Sequence, residues 1–147
     1  MLRVTKLADY GIVMLTFFAA HSENTYAARD IANAVTLPLP IASKALKLLS
    51  KAGLLVSQRG TKGGYGLARP PKEISVASII RALEGPIALT QCSDTKRACM
   101  LEPGCPVQTN WHQINQVIHS ALEKITLDQM TQALPLSPIE LTPRGSR

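Results

Sequence analysis

The sequence has few aromatic residues, few acidic residues, few cysteines and no long hydrophobic run. Only 4% of the 147 residues are aromatic, so a folded core has to be mainly aliphatic. No stretch reaches the roughly 18–20 apolar residues that cross a bilayer, which predicts no membrane partner. Three cysteines are an odd number, which disfavours a disulfide-bonded secreted protein. Within segment 7–18, one helical face holds Leu7, Tyr10, Met14, Leu15 and Phe18, as in a core helix rather than a signal peptide, so we expect a cytoplasmic protein.

The shortage of acidic residues leaves a net charge of +6, and this charge lies in one half of the chain. Residues 1–75 contain ten Lys/Arg and four Asp/Glu, whereas residues 76–147 contain six of each. A basic half joined to a neutral half predicts that the first half binds a polyanion and the second has another task. A basic surface that merely solubilises the protein is the alternative.

Hydrophobic periodicity and proline predict three helices in the basic half, at about residues 5–20, 27–35 and 40–52. Prolines at 38 and 40 end the second helix, and Pro40 suits the first turn of the third. The third helix is expected to direct an apolar stripe to the core, formed by Ile41, Ala45, Leu48 and Leu49. Its other side carries Ser43, Lys44, Lys47 and Lys51. A basic helix after a short helix and a tight turn is typical of the element that enters a DNA major groove; lysines on a solvated face are the alternative.

A glycine-rich, basic hairpin is predicted directly after the third helix, with strands at residues 54–56 and 65–67. Its three turn glycines are expected to supply positive φ angles and backbone access, and Arg59 and Lys62 place charge at the tip. Such a hairpin after a basic helix predicts a winged helix whose arginine enters the minor groove. A scaffold helix at 75–83 completes a DNA-binding domain of residues 1–85. The candidate DNA-binding residues are Ser43, Lys44, Lys47, Arg59, Lys62, Gly63, Gly64 and Tyr65.

All three cysteines fall in residues 86–106, where the helical pattern lapses. Cys92, Cys99 and Cys105 have the spacing Cys-x6-Cys-x5-Cys. Thiolates are the usual ligands of iron–sulfur clusters, and a loop lets three of them converge on one cluster. Structural zinc usually takes closer cysteine pairs and a fourth ligand. The spacing therefore favours a cluster, and a thiol redox switch, a zinc site or three unrelated thiols stay open as alternatives.

A long amphipathic helix is predicted from about residue 107 to 125. Its apolar residues recur at steps of three and four, as in a coiled-coil seam: Trp111, Ile114, Ile118, Ala121 or Leu122, and Ile125. This pattern predicts a homodimer that presents two winged domains to two half-sites; packing within the same chain is the alternative. A short closing helix is expected within residues 127–133, and residues 134–147 are expected to form a flexible tail.

Together these elements predict a mainly α fold with one small β-hairpin: a winged helix-turn-helix followed by a long dimerisation helix. In this combination the sequence resembles the iron–sulfur cluster transcriptional regulators typified by IscR, NsrR and the SUF-system repressors. The resemblance covers roughly residues 1–133. Its marks are Leu2 to Tyr10, the stretch from Gly53-Leu54 through Arg59-Gly60, Gly63-Gly64-Tyr65, the three cysteines and Trp111. It implies a homodimeric repressor with helix 3 in the major groove of operator DNA, the wing in the minor groove, and a [2Fe–2S] or [4Fe–4S] cluster on the three cysteines.

The resemblance leaves the fourth cluster ligand open. In IscR-type members a histidine three residues after the last cysteine is the ligand, and Gln108 occupies that position here. In NsrR-type members the ligand is an aspartate on the first helix of the partner subunit, and Asp9 matches this position. His112, one turn beyond Gln108, is the third candidate, and a small molecule or an open site is the remaining alternative. Asp9 ranks first.

The resemblance thus implies a regulator, without enzymatic activity, that senses iron–sulfur status and controls cluster-assembly genes. A repressor of the same fold that senses nitric oxide or redox stress is the closest alternative. A cysteine enzyme would need a thiolate beside a positioned base, and only His112 stands near Cys105 in sequence. A winged-helix module with a thiol switch or structural zinc is the remaining alternative.

Overall fold

The computed structural model describes residues 3–94 and 99–132, and this part of the chain forms six α-helices and one two-stranded antiparallel sheet. Short 3₁₀ turns lie at Pro71–Glu73, Gln91–Ser93 and Glu102–Gly104. The chain order is α1 (Lys6–Ala20), α2 (Ala28–Ala34), α3 (Leu39–Lys51), β1 (Leu55–Gln58), β2 (Gly64–Leu67), α4 (Val76–Glu84), α5 (Gln108–Lys124) and α6 (Leu127–Met130). The predicted mainly helical fold with one hairpin is confirmed. Leu2, Ala133 and the predicted tail at 134–147 lie outside the described residues.

Hydroxyl side chains begin three of the helices. The Thr5 hydroxyl accepts a hydrogen bond from the Ala8 amide at 3.3 Å, and Ser75 accepts one from the Ser78 amide at 3.1 Å. Thr126 caps α6 in a reciprocal capping box with Gln129. Each cap satisfies a backbone N–H that has no partner within its helix. The predicted helix starts agree with the structure to within about a residue.

The core is aliphatic, as the low aromatic content predicts. It joins α1, α3, α4 and the start of β1, and Phe18 is the one aromatic among its largest fully buried side chains. The remaining large ones are Met14, Leu15, Ile31, Leu46, Leu49, Leu54, Ile74, Ile79 and Leu127. Burial of this apolar surface is the main stabilising contribution to the fold.

The buried face of α3 differs from the predicted stripe. The helix buries Ala42, Ala45, Leu46 and Leu49, whereas Ile41 is exposed and Leu48 is half-buried. Because the aliphatic residues of α3 form a band wider than a single stripe, the sequence supports more than one apolar stripe. Packing against α1 and α4 selects the stripe that is buried.

The chain returns to the winged domain after α5. The Val76 amide donates to the Ile125 carbonyl, and the Leu127 amide donates to the Ile74 carbonyl, each at 2.8 Å. Leu127 is fully buried in the core, and α6 packs against α1. Thus α5 leaves the winged domain and is fastened to it again at its C-terminal end. Over the residues that the structure describes, no helix is long and apolar enough to cross a bilayer.

Candidate nucleic-acid interface and cysteine loop

The first part of the site is a helix-turn-helix formed by α2 and α3. Ile31 and Ala32 of α2 are buried, and the amide of Leu37 donates to the Ala32 carbonyl at 2.8 Å, which closes the turn before α3. With one face of α3 in the core, the opposite face is free. Lys44 and Lys47 are exposed there, and Ser43 is half-buried.

The wing is the hairpin of β1 and β2. Its register pairs Leu55 with Leu67 and Gln58 with Gly64, so each strand extends slightly closer to the tip than the sequence predicted. Arg59 and Lys62 lie in the turn and are exposed. The hairpin therefore presents two cations at the free end of a rigid pair of strands.

The prediction that all three turn glycines supply positive φ angles is wrong for Gly63 and Gly64. Only Gly60 has one, at 117°. At Gly63 a Cβ would collide with the Gln58 carbonyl oxygen. At Gly64 it would collide with the backbone of Tyr26, so both positions need glycine for a close approach rather than for a left-handed conformation.

Tyr26 anchors the wing, a role that sequence reasoning missed. Its backbone pairs with that of Tyr65 through two hydrogen bonds of 3.0 and 2.8 Å. The rings of Tyr26 and Phe17 meet edge to face with centroids 5.1 Å apart, and the Tyr65 side chain is half-buried against the core. The sequence signal for this role was the presence of an isolated aromatic residue in the polar link between α1 and α2.

The cysteine loop is attached to α5 by Asn115, a second residue that sequence reasoning missed. Its carbonyl oxygen accepts a hydrogen bond from the Leu89 amide, and its amide nitrogen donates to the Ile87 carbonyl, both at 3.0 Å. One side chain thus satisfies two backbone groups of the loop. The beginning of the loop is held on α5, and α5 in turn packs against α4.

All three cysteines are free thiols and all are half-buried. Cys92 lies in the 3₁₀ turn at Gln91–Ser93, with its Sγ 3.1 Å from the Thr90 hydroxyl. Cys99 and Cys105 lie on either side of the turn at Glu102–Gly104. Within residues 3–94 and 99–132, no three His, Cys, Asp or Glu side chains are gathered in a group that could hold a metal ion.

The candidate fourth ligands have different surroundings. Asp9 is exposed in the first turn of α1, where the helix dipole favours a carboxylate. The side-chain amide of Gln108 donates to the Glu102 carboxylate at 3.1 Å, so it already has a partner within the chain. His112 is exposed on α5.

The apolar stripe predicted on α5 is divided between two sides. Ile118 and Leu122 are half-buried and, with Ile80 of α4, line a groove of about 550 Å³. Trp111 lines the same groove but leaves 39% of its surface exposed, and Ile114 is exposed outside it. Val117, which the prediction left out, has 68% of its surface exposed, and Val107 and Ala121 are exposed as well. One side of α5 therefore packs within the chain, and an adjoining apolar side does not.

Comparison with known proteins decides the family. The sequence profile of Rrf2, described as an iron-dependent transcriptional regulator, matches residues 4–133. The chain belongs to the Rrf2 family. NsrR, an HTH-type transcriptional regulator of Oceanobacillus iheyensis, is 31% identical to it over 134 residues, which are 88% of this chain and 89% of that protein.

Solved structures of Rrf2-type regulators confirm the winged-helix fold. CymR, the global cysteine regulator of B. subtilis, superposes with a TM-score of 0.69 at 29% identity, over 89% of this chain and 97% of that one. IscR of T. potens superposes with a TM-score of 0.65 at 32% identity, over 88% and 85%. Membership in the Rrf2 family thus identifies a DNA-binding transcriptional regulator. CymR is a cysteine regulator, whereas the Rrf2 profile is described as iron-dependent. Membership in the family alone therefore does not assign the signal that this chain senses.

Proposed function

We propose that this chain is a homodimeric repressor that senses an iron–sulfur cluster and binds operator DNA, with iron–sulfur assembly genes as its targets. The observation that carries the proposal is the set of three free, half-buried cysteines on one loop that Asn115 fastens to α5. Thiolates are the ligand type that such clusters use.

The DNA surface in this proposal consists of α3 and the wing. Lys44 and Lys47 on α3 and Arg59 and Lys62 on the wing are all exposed, and the basic half of the chain supplies the whole net charge of +6. The N-terminal part of a recognition helix reads base edges in the major groove. A wing arginine suits the narrow minor groove, where the negative potential is strongest.

The proposed dimer forms through α5. Its exposed apolar side chains adjoin a groove lined by both α4 and α5, and contiguous apolar surface of this kind marks interaction sites. A two-fold pairing would bury this surface against its own copy and present two winged domains to two half-sites. Both the DNA contacts and the dimer follow the pattern implied by the family.

The proposed ligands are Cys92, Cys99 and Cys105, with Asp9 of the partner subunit as the fourth. The donor chemistry fits, because the thiols are free and Asp9 is an exposed carboxylate. The thiols are not gathered into a preformed site, as expected where ligands assemble around the metal they bind. When bound, the cluster supplies a redox-active centre. Since α1 packs against α3, a ligand on α1 would connect the site with the recognition helix.

The alternatives use the same fold. A sensor of nitric oxide or redox stress would use the same cluster, whereas a thiol switch or a zinc module would use the cysteines without one. The thiol switch would need only two of the three free thiols. It would oxidise two thiols to a disulfide, releasing two protons and passing two electrons to an oxidant such as a peroxide.

The deciding experiment is purification without oxygen followed by a visible spectrum and analysis of iron, sulfide and zinc. We expect a coloured protein with iron and sulfide, and loss of the colour when any one of the three cysteines is changed to Ala. A colourless protein that stays so after iron–sulfur reconstitution would contradict the cluster. Bound zinc would then indicate a structural zinc module, and a reversible disulfide without metal would indicate a thiol switch.

The ligand role of Asp9 is tested by Asp9→Ala in the same preparation. Asp30→Ala is the matched control, because Asp30 is also an exposed aspartate in the first turn of a helix, α2. We expect the spectrum of the cluster to change in Asp9→Ala and to stay unchanged in Asp30→Ala. Identical spectra for both variants would remove Asp9 from the ligand set.

A further inference from the structure

The first turn of α3 presents an unusual surface for a helix that binds a polyanion. Its first three residues, Leu39, Pro40 and Ile41, are all apolar and all exposed. Leu39 and Ile41 each leave 37% of their surface accessible. Single exposed aliphatic residues are ordinary, but these three are consecutive and form the end of the helix that reads base edges in helix-turn-helix proteins.

The polar side chains of α3 provide little base recognition. The helix sequence LPIASKALKLLSK contains no Arg, Asn, Gln, Asp or Glu. Arg pairs in two-pronged fashion with guanine, Asn and Gln do so with adenine, and acidic groups accept from cytosine. Ser43 is half-buried, and Lys44 and Lys47 carry a point charge that suits a phosphate or a guanine edge. Polar side chains of α3 alone would therefore leave most base pairs of a half-site without a specific contact.

The remaining direct contact in the major groove is apolar. Thymine alone carries a C5 methyl group there, and aliphatic side chains recognise it by excluding water from it. Lys44 and Lys47 are exposed on the same helix, and Arg59 and Lys62 at the wing tip are also exposed. This positive charge complements a nucleic-acid backbone. The partner that suits both the cations and the apolar first turn of α3 is therefore double-stranded DNA.

We propose that Leu39 and Ile41, flanking Pro40 in the first turn of α3, recognise thymine methyl groups in each operator half-site. The inference rests on the proposed function, in which α3 enters the major groove. It adds the base chemistry: thymine at the positions under the first turn, and a specificity that depends on methyl groups more than on hydrogen bonds.

The test begins with selection of an operator from a random duplex pool by the purified full-length protein. Each thymine of the selected site is then replaced singly by deoxyuridine, which keeps the base pair and removes only the methyl group. We expect affinity to fall about fourfold for each contacted methyl group lost, the factor that burial of one such group contributes. Thymines under the wing are an internal control, because the methyl group faces away from the minor groove.

Leu39→Ala and Ile41→Ala identify the reading side chains. Both residues are exposed, so we expect both variants to fold and to keep binding DNA through the cations. Each is expected to lose the fourfold difference at the thymine that its own side chain contacts. Val13→Ala is the matched control, since Val13 is an aliphatic residue of α1 with 40% of its surface exposed. It is expected to retain the fourfold difference.

The possible outcomes distinguish failure of the methyl-group inference from failure of the proposed DNA-binding function. Sequence-specific binding that is indifferent to every thymine methyl group would overturn the inference and leave the DNA-binding function standing. A methyl dependence that is unchanged at every thymine in both α3 variants would also overturn it. Failure to select any sequence, with only weak binding to all duplexes, would contradict the proposed function and the inference with it.

Discussion

At the scale of single residues, the position of the wing depends on a close approach between its backbone and that of Tyr26, in the link between α1 and α2. Tyr26 and Tyr65 pair through two hydrogen bonds, and Gly64 lies beside them because any Cβ there would meet the Tyr26 carbonyl. Asn115 has a comparable role on the other side of the molecule, where it satisfies two backbone groups of the cysteine loop. Both residues position a functional segment without belonging to it.

Replacing Gly64 with Ala is expected to separate the wing from the link between α1 and α2. The added methyl group collides with backbone atoms, which cannot rotate away. We expect a loss of about 1–3 kcal/mol in the free energy of unfolding, the usual range for overpacking, together with weaker operator binding. Urea unfolding and a DNA titration measure the two effects. Gly104→Ala is the control, since nothing lies within 4 Å of its added Cβ; equal behaviour of both variants would contradict the close pairing.

At the scale of elements, the short helix α6 contributes more than its length indicates. It has four residues, which is far too short for a helix to be stable by itself. Yet Leu127 is fully buried. The backbone beside it is also paired with the start of α4, because the Leu127 amide donates to the Ile74 carbonyl and the Val76 amide donates to the Ile125 carbonyl. The end of α5 is therefore held by the core of the winged domain.

Leu127→Ala is expected to lower the free energy of unfolding by about 2–5 kcal/mol, the usual cost of truncating a buried leucine. Leu101→Ala makes the same chemical change at a position with 73% of its surface exposed, and its effect should stay within about 0.5 kcal/mol. Denaturant unfolding followed by circular dichroism compares the two variants. Similar losses in both would show that α6 does not pack in the core.

At the scale of the whole molecule, charge and apolar surface are separated. The basic half holds α3 and the wing, whereas the electrically neutral half holds the cysteine loop and α5 with its exposed apolar side. Such a division suits a protein that meets DNA with one half and its own copy with the other. Because α1, α3 and α4 pack together and α5 packs on α4, the two halves share one continuous core.

A charge placed on the apolar side of α5 is expected to prevent dimerisation. Val117→Asp changes a residue with 68% of its surface exposed, so the chain should still fold. Burying this charge twice in a two-fold interface is costly, and we expect a monomer with greatly reduced operator affinity. Gln116→Asp places the same charge on the polar side of the helix as a control. Light scattering gives the mass; a dimeric Val117→Asp protein would contradict the proposed interface.

The features that were predictable from sequence are those with local causes. Helix starts depend on Thr5 and Ser75, whose hydroxyls act on amides three residues away. The hairpin was predictable from a short segment that is rich in glycine and bounded by apolar residues. The cysteine loop was predictable from the lapse of the helical pattern in residues 86–106. The winged-helix fold and the regulatory class followed from these signals and are confirmed.

The features that were not predictable depend on contacts between distant parts of the chain. Which stripe of α3 is buried, the pairing of Tyr26 with Tyr65, and the burial of Leu127 beside Ile74 all join segments far apart in sequence. Local patterns cannot rank such contacts, because an aliphatic residue suits a core and a surface of α3 equally well before its neighbours are known. The amino-acid order was therefore sufficient for the elements and for the place of the cysteines on one loop after the winged domain. Only packing decided that Leu39, Ile41 and an apolar side of α5 stay exposed, since burial is a property of the assembled core.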